Sequence, residues 1–116
     1  MWWPLLDDIR SKSQEHFVCI TLNGANELIE KRIVTIGLLD KSLVHPRDVL
    51  ADVITDRAAA VIFAHNHPSG IAEPSRADEL LTRTLKQALA LVDVKTLDHF
   101  VVAGASSISF AERGLL

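Results

Sequence analysis

Ala58-Ala59-Ala60-Val61-Ile62-Phe63-Ala64-His65-Asn66-His67-Pro68-Ser69-Gly70 is the stretch on which the reading of this chain turns. Ala58 to Ala64 is short, uncharged and followed by Pro68 and Gly70, the pattern of a buried strand. Side chains two apart on an extended backbone point to the same side. His65 and His67, at the strand's exit, therefore present their rings together while Asn66 faces away. Pro68 and Gly70 turn the chain, and Pro74-Ser75 opens a helix whose first turn carries Asp78. The turn folds that carboxylate back toward the two imidazoles.

Catalytic zinc takes three protein ligands of N and O type and keeps a further position for a water, which it acidifies. His65, His67 and Asp78 match that count. Cys19 is the lone cysteine, so a thiolate-rich structural zinc site is excluded by composition. Each residue also has a plain structural reading: Ser75-Arg76-Ala77-Asp78 has the form of a capping box, with an acid at the positive end of a helix. Two histidines in alternation, a turn and a carboxylate within one helical turn of it are poorly explained as separate accidents. The joint pattern favours a metal.

His65-x-His67-Pro68, with Ser75 eight residues and Asp78 eleven residues after the second histidine, resembles the JAMM signature of the JAB/MPN+ metalloproteases. Ser42 to Asp48, His65 to Gly70, Glu73-Pro74-Ser75, Leu97-Asp98-His99 and Ser109 to Gly114 narrow this further. They resemble the JAB-type domain of the bacterial RadC family, from about Glu15 onward. The resemblance implies an α/β fold: a single MPN/JAB-type, cytidine-deaminase-like domain with a mixed sheet flanked by helices. It implies Zn2+ held by His65, His67 and Asp78, Glu15 as general base and Ser75 as a donor to the oxyanion. Glu27 and Glu30, in the next strand, are weaker candidates for the base. A carboxylate beside the attacking water can move its proton to a leaving amine, and a hydroxyl can donate to the developing oxyanion. The reaction class implied is amide hydrolysis, on a peptide or isopeptide bond of a peptide or protein substrate.

At 116 residues there is room for one domain. Residues 1–14 read as an N-terminal arm or short helix, and 15–116 as the MPN/JAB domain. The patterning predicts strands over 15–23, 27–36, 59–65 and 94–103, a further short strand near Ile108 to Phe110, and helices over 46–57 and 75–92. In the second helix Leu81, Leu85, Ala88, Leu89 and Val92 follow helical spacing, with Arg83, Lys86 and Gln87 outside. His45-Pro46 marks a helix entrance. His45 and His99 are read first as structural, with a place beside the metal as the alternative. His16 is expected to point away from Glu15's side.

The net charge of −3, with basic residues scattered, does not support a nucleic-acid partner. No long apolar run or signal layout is present, so no membrane association and a cytoplasmic place are expected. Cys19, in an apolar strand, reads as a buried small hydrophobe. The apolar opening Met1 to Leu6 admits packing on the domain, self-association as a homodimer, or derivation from a longer parent. Two further readings compete with the hydrolase. One is a catalytically weak or inactive metal-containing binding module associated with DNA repair or DNA processing. The other is metal-dependent phosphodiester hydrolysis, disfavoured by the acidic charge balance.

Overall fold

The computed structural model describes residues 3–37 and 43–116. Met1, Trp2 and Ser42, which figured in the sequence reading, lie outside the described residues. In chain order the elements are α1 (Trp3–Arg10), β1 (His16–Leu22), β2 (Leu28–Ile36), α2 (Pro46–Thr55), β3 (Ala60–Asn66), α3 (Arg76–Ala90), β4 (Lys95–Ala103) and β5 (Ser106–Ser109). The strands form one sheet in the order β2-β1-β3-β4-β5. β1 runs antiparallel to both β2 and β3, β3 pairs parallel with β4, and β5 closes antiparallel on β4. This is the mixed α/β sheet flanked by helices that was expected.

The alternation of a strand's side chains divides the core in two. Odd-numbered Phe17, Cys19, Val61 and Phe63 pack against Val49 and Val53 of α2 and Leu81, Leu85 and Leu89 of α3. Even-numbered Val18, Ile20, Leu22, Ile62 and Ala64 pack against Leu6 and Ile9 of α1. Leu6 and Ile9 of α1 are thus part of the core. Burial pushes the Cys19 thiol up to about 12, which leaves it an inert filler.

Most of the remaining expectations meet small corrections. Helix α3 stops at Ala90, and the chain then turns through Asp93 at φ 62°. Val92 therefore falls beyond the helix and is 42% exposed rather than on the buried stripe. Thr82 takes a place on that stripe, fully covered beside Asp78, Leu85 and Leu89. The last strand is Ser106–Ser109 rather than a segment ending at Phe110. Pro46 does open α2, with His45 as its N-cap.

Candidate metal centre

β3 brings the first two donors. Because Phe63 points into the α3-side core, the same alternation carries His65 to that side and Asn66 to the other. At His67 the chain leaves the strand, and Gly70 N–H closes a turn on the His67 carbonyl at 3.1 Å. Gly70 has φ 85°, a left-handed conformation in which a residue with a Cβ is strained. The turn delivers Ser75, the N-cap of α3. Ser75 Oγ accepts from the Asp78 amide at 3.0 Å, and the Ser75 amide donates to Asp78 Oδ2 at 2.8 Å, a complete capping box.

Asp78 is aimed by that cap into the histidines. Its Oδ2 lies 3.0 Å from His67 Nε2 and 3.3 Å from His65 Nε2, and the two Nε2 atoms are 3.0 Å apart. His65 is fully buried and the Asp78 side chain is 3% exposed, whereas His67 is 13% exposed and forms the open side. Glu15, just ahead of β1, joins from that side: Glu15, His65 and His67 each offer a donor atom within 4.8 Å of the others. A cleft of about 420 Å³, walled by Gln14, Glu15, Gly37, His67 and Pro68 among others, opens beside the group.

The donor chemistry fits a divalent cation. His67 Nδ1 lies 2.9 Å from the Ile71 carbonyl, which only accepts, so Nδ1 carries the proton and Nε2 of the neutral ring offers its lone pair. That lone pair meets a carboxylate oxygen and a second imidazole nitrogen at hydrogen-bond distance. Such a meeting point needs positive charge, supplied either by a proton or by a metal. The electrostatics agree: the hydrogen bond to Asp78 raises His67 above the ordinary imidazole range, against its burial. Burial works to raise Asp78, but His65, His67 and the Ser75 amide together pull it far below the carboxylate range.

A family profile described as RadC-like JAB domain matches residues 4–115, nearly the whole chain. The chain belongs to the RadC-like JAB domain family. Its similar proteins include UPF0758 proteins from Dechloromonas aromatica, 55% identical over 93% of this chain and 48% of the relative, and from Pseudoalteromonas translucida, 51% identical over 93% and 48%. Another, from Methanospirillum hungatei JF-1, is 51% identical over 94% of this chain and 48% of its own length. The chain spans about half the length of the curated relatives it matches.

Within this RadC-like JAB domain His65, His67 and Asp78 converge, Glu15 lies beside the two histidines, and Ser75 caps the helix that carries Asp78. His99 joins them, fully buried, with Nε2 2.7 Å from His65 Nδ1 and Nδ1 2.6 Å from Thr82 Oγ1. Burial, then the neighbouring His65, holds His99 well below the ordinary imidazole range, so it stays neutral. Thr82 was missed; the available signal was a threonine four residues after Asp78, on the stripe that continues through Leu85 and Leu89. His45 is the N-cap residue of α2, where its carbonyl receives the Asp48 and Val49 amides. Glu27 is engaged by Asn23 at the β1–β2 turn, and Glu30 sits on β2 opposite Thr21. His16 turns its ring to the Gln14 carbonyl. Among the described residues no helix is long and apolar enough to cross a membrane.

Proposed function

We propose that this chain is a zinc-dependent metallohydrolase of JAMM type that hydrolyses a peptide or isopeptide bond. The observation that supports the reading is the meeting of His65 Nε2, His67 Nε2 and Asp78 Oδ2 within 3.3 Å, with Glu15 beside them at an open cleft. His65, His67 and Asp78 are the residues that would hold the ion. Zinc, when bound, supplies a Lewis acid and lowers the pKa of a water.

The chain's own groups do the rest. Glu15 takes the proton of the attacking water and returns it to the leaving amine. Ser75 donates its hydroxyl proton to the developing oxyanion while its oxygen still accepts from the Asp78 amide, because a hydroxyl does both at once. The cleft walled by Glu15, Gly37 and His67 receives the substrate chain, and its location between the loop before β1 and the turn after β3 leaves the centre approachable from one side.

The test is metal content and amide hydrolysis, measured together on three variants. His67→Ala and Asp78→Ala should each lose stoichiometric zinc. Glu15→Gln should keep zinc and fold while hydrolysis of a peptide library falls by about 100-fold or more. Zinc retained at one equivalent in both ligand variants would sink the metal assignment; a fully active Glu15→Gln would sink the role of the base.

A further inference from the structure

Behind His65 lies a fully covered set of polar groups that the proposed hydrolysis does not use. His99, Thr82 and Thr82's contact on Asp78 stand between β4, α3 and β3, among Phe17, Phe63 and Phe110. Burying two imidazoles and a hydroxyl costs free energy unless every one is paired. The partners therefore carry information about where each proton sits.

The proton positions follow in one direction only. Thr82 Oγ1 lies 2.8 Å from the Asp78 main-chain carbonyl, an acceptor, so the hydroxyl donates there. Its single proton is then spent, and the 2.6 Å contact with His99 Nδ1 requires the imidazole to donate. His99 neutral with its proton on Nδ1 has a lone pair on Nε2, which faces His65 Nδ1 at 2.7 Å and must receive a proton from it. His65, protonated on Nδ1, turns its Nε2 lone pair toward His67 and Asp78. The series closes on itself, because the Asp78 whose carbonyl anchors Thr82 also supplies the carboxylate Oδ2 facing His65.

We propose that His99 and Thr82 are positioning residues that lock His65 in its Nδ1–H tautomer and fix its ring, so that Nε2 is presented for metal before any metal arrives. The stacking of His99 on Phe110, with ring centres 4.6 Å apart, and its edge contacts to Phe17 and Phe63 hold the relay ring in place, edge-on to His65. This rests on the metal role proposed for His65, and the experiment separates the two.

Nitrogen-15 NMR of histidine-labelled, metal-free protein should show His99 and His65 both protonated at Nδ1, with the Nε2 of His99 bare. His99 protonated at Nε2 overturns the proposal whatever zinc does. The second arm is zinc affinity, read by competition with a chromogenic chelator. Thr82→Val keeps the side-chain shape without the hydroxyl, and His99→Phe keeps a ring among the phenylalanines without nitrogens. Each should weaken zinc by about 10- to 100-fold, the usual effect of removing a partner behind a ligating histidine. Thr82→Ser, which restores the hydroxyl, should return affinity to within about 3-fold of the parent, as the hydroxyl is the group required. Unchanged zinc affinity in folded Thr82→Val, or no rescue by serine, overturns the proposal. If either apolar variant fails to fold, the tautomers of the parent protein and the affinity of Thr82→Ser still decide. A parent chain that binds no zinc but shows both Nδ1–H tautomers defeats the function proposed above and leaves the proton order standing.

Discussion

Asn66 lies between the two imidazoles in sequence and on the opposite face of β3 in space. Its Oδ1 accepts the His16 amide at 2.6 Å, and its Nδ2 donates to the Gln14 carbonyl at 3.0 Å and the Lys12 carbonyl at 3.3 Å. One fully buried amide thus ties down the backbone on both sides of Glu15. The same alternation that aims the histidines at α3 spends the residue between them on holding the segment that carries the carboxylate. Asn66→Ala leaves those backbone groups short of partners, and stability should fall by about 1–3 kcal/mol. Hydrogen exchange at the His16 amide should quicken while zinc content stays near one equivalent; His16 exchange as slow as in the parent would show that the tether is not what orders this segment.

At the scale of elements, the Asp56 carboxylate at the end of α2 reaches both β1 and β2, with Asp52 of the same helix 3.7 Å from Arg32. Asp56, the C-cap residue of α2, takes Arg32 Nε at 2.9 Å and Arg32 Nη2 at 2.5 Å, and accepts the Thr21 hydroxyl at 2.8 Å. The Arg32 hydrogen bond, opposed by burial and aided by Thr21, lowers the Asp56 carboxyl below its ordinary 3.8. A carboxyl with a depressed folded value contributes stability that is complete above its unfolded value and is lost as pH falls through the folded one. The acid limb of the stability curve, below about pH 4, should therefore be shallower in Asp56→Asn than in the parent, with the variant less stable at neutral pH. Urea midpoints measured from neutral to acid pH check this; parallel limbs would show that another group governs acid unfolding.

For the whole molecule, the sheet has two faces and each needs a cover. α2 and α3 cover the face that carries the candidate metal centre, and α1 covers the other through Leu6 and Ile9, at 0% and 1% exposure. Arg10 fastens the end of α1 to the β4–β5 turn through the Gly104 and Ser106 carbonyls, both at 3.0 Å. Leu6→Ala should cost about 2–5 kcal/mol in urea unfolding, the range for a buried leucine whose site cannot collapse. Zinc content should not change, because the sheet stands between α1 and the centre. A loss under about 1 kcal/mol would mean that α1 is not what closes that face.

Local sequence determined the strand through Ala60–Asn66, the shared face of His65 and His67, the turn at Gly70 and the capping box that starts α3. Each depends only on period, backbone freedom or a hydrogen bond within a few residues, so each is legible without the fold. Glu15 was reached through family resemblance, since nothing near it in the chain marks a carboxylate destined for the centre. The tertiary structure alone decided where His99 and Thr82 lie relative to His65. Parallel pairing of β3 with β4, shifted by an irregularity between Val61 and Ile62, sets His99 opposite Phe63 and within reach of His65. That register is a long-range packing outcome, and no spacing along the chain encodes which buried nitrogen will face which.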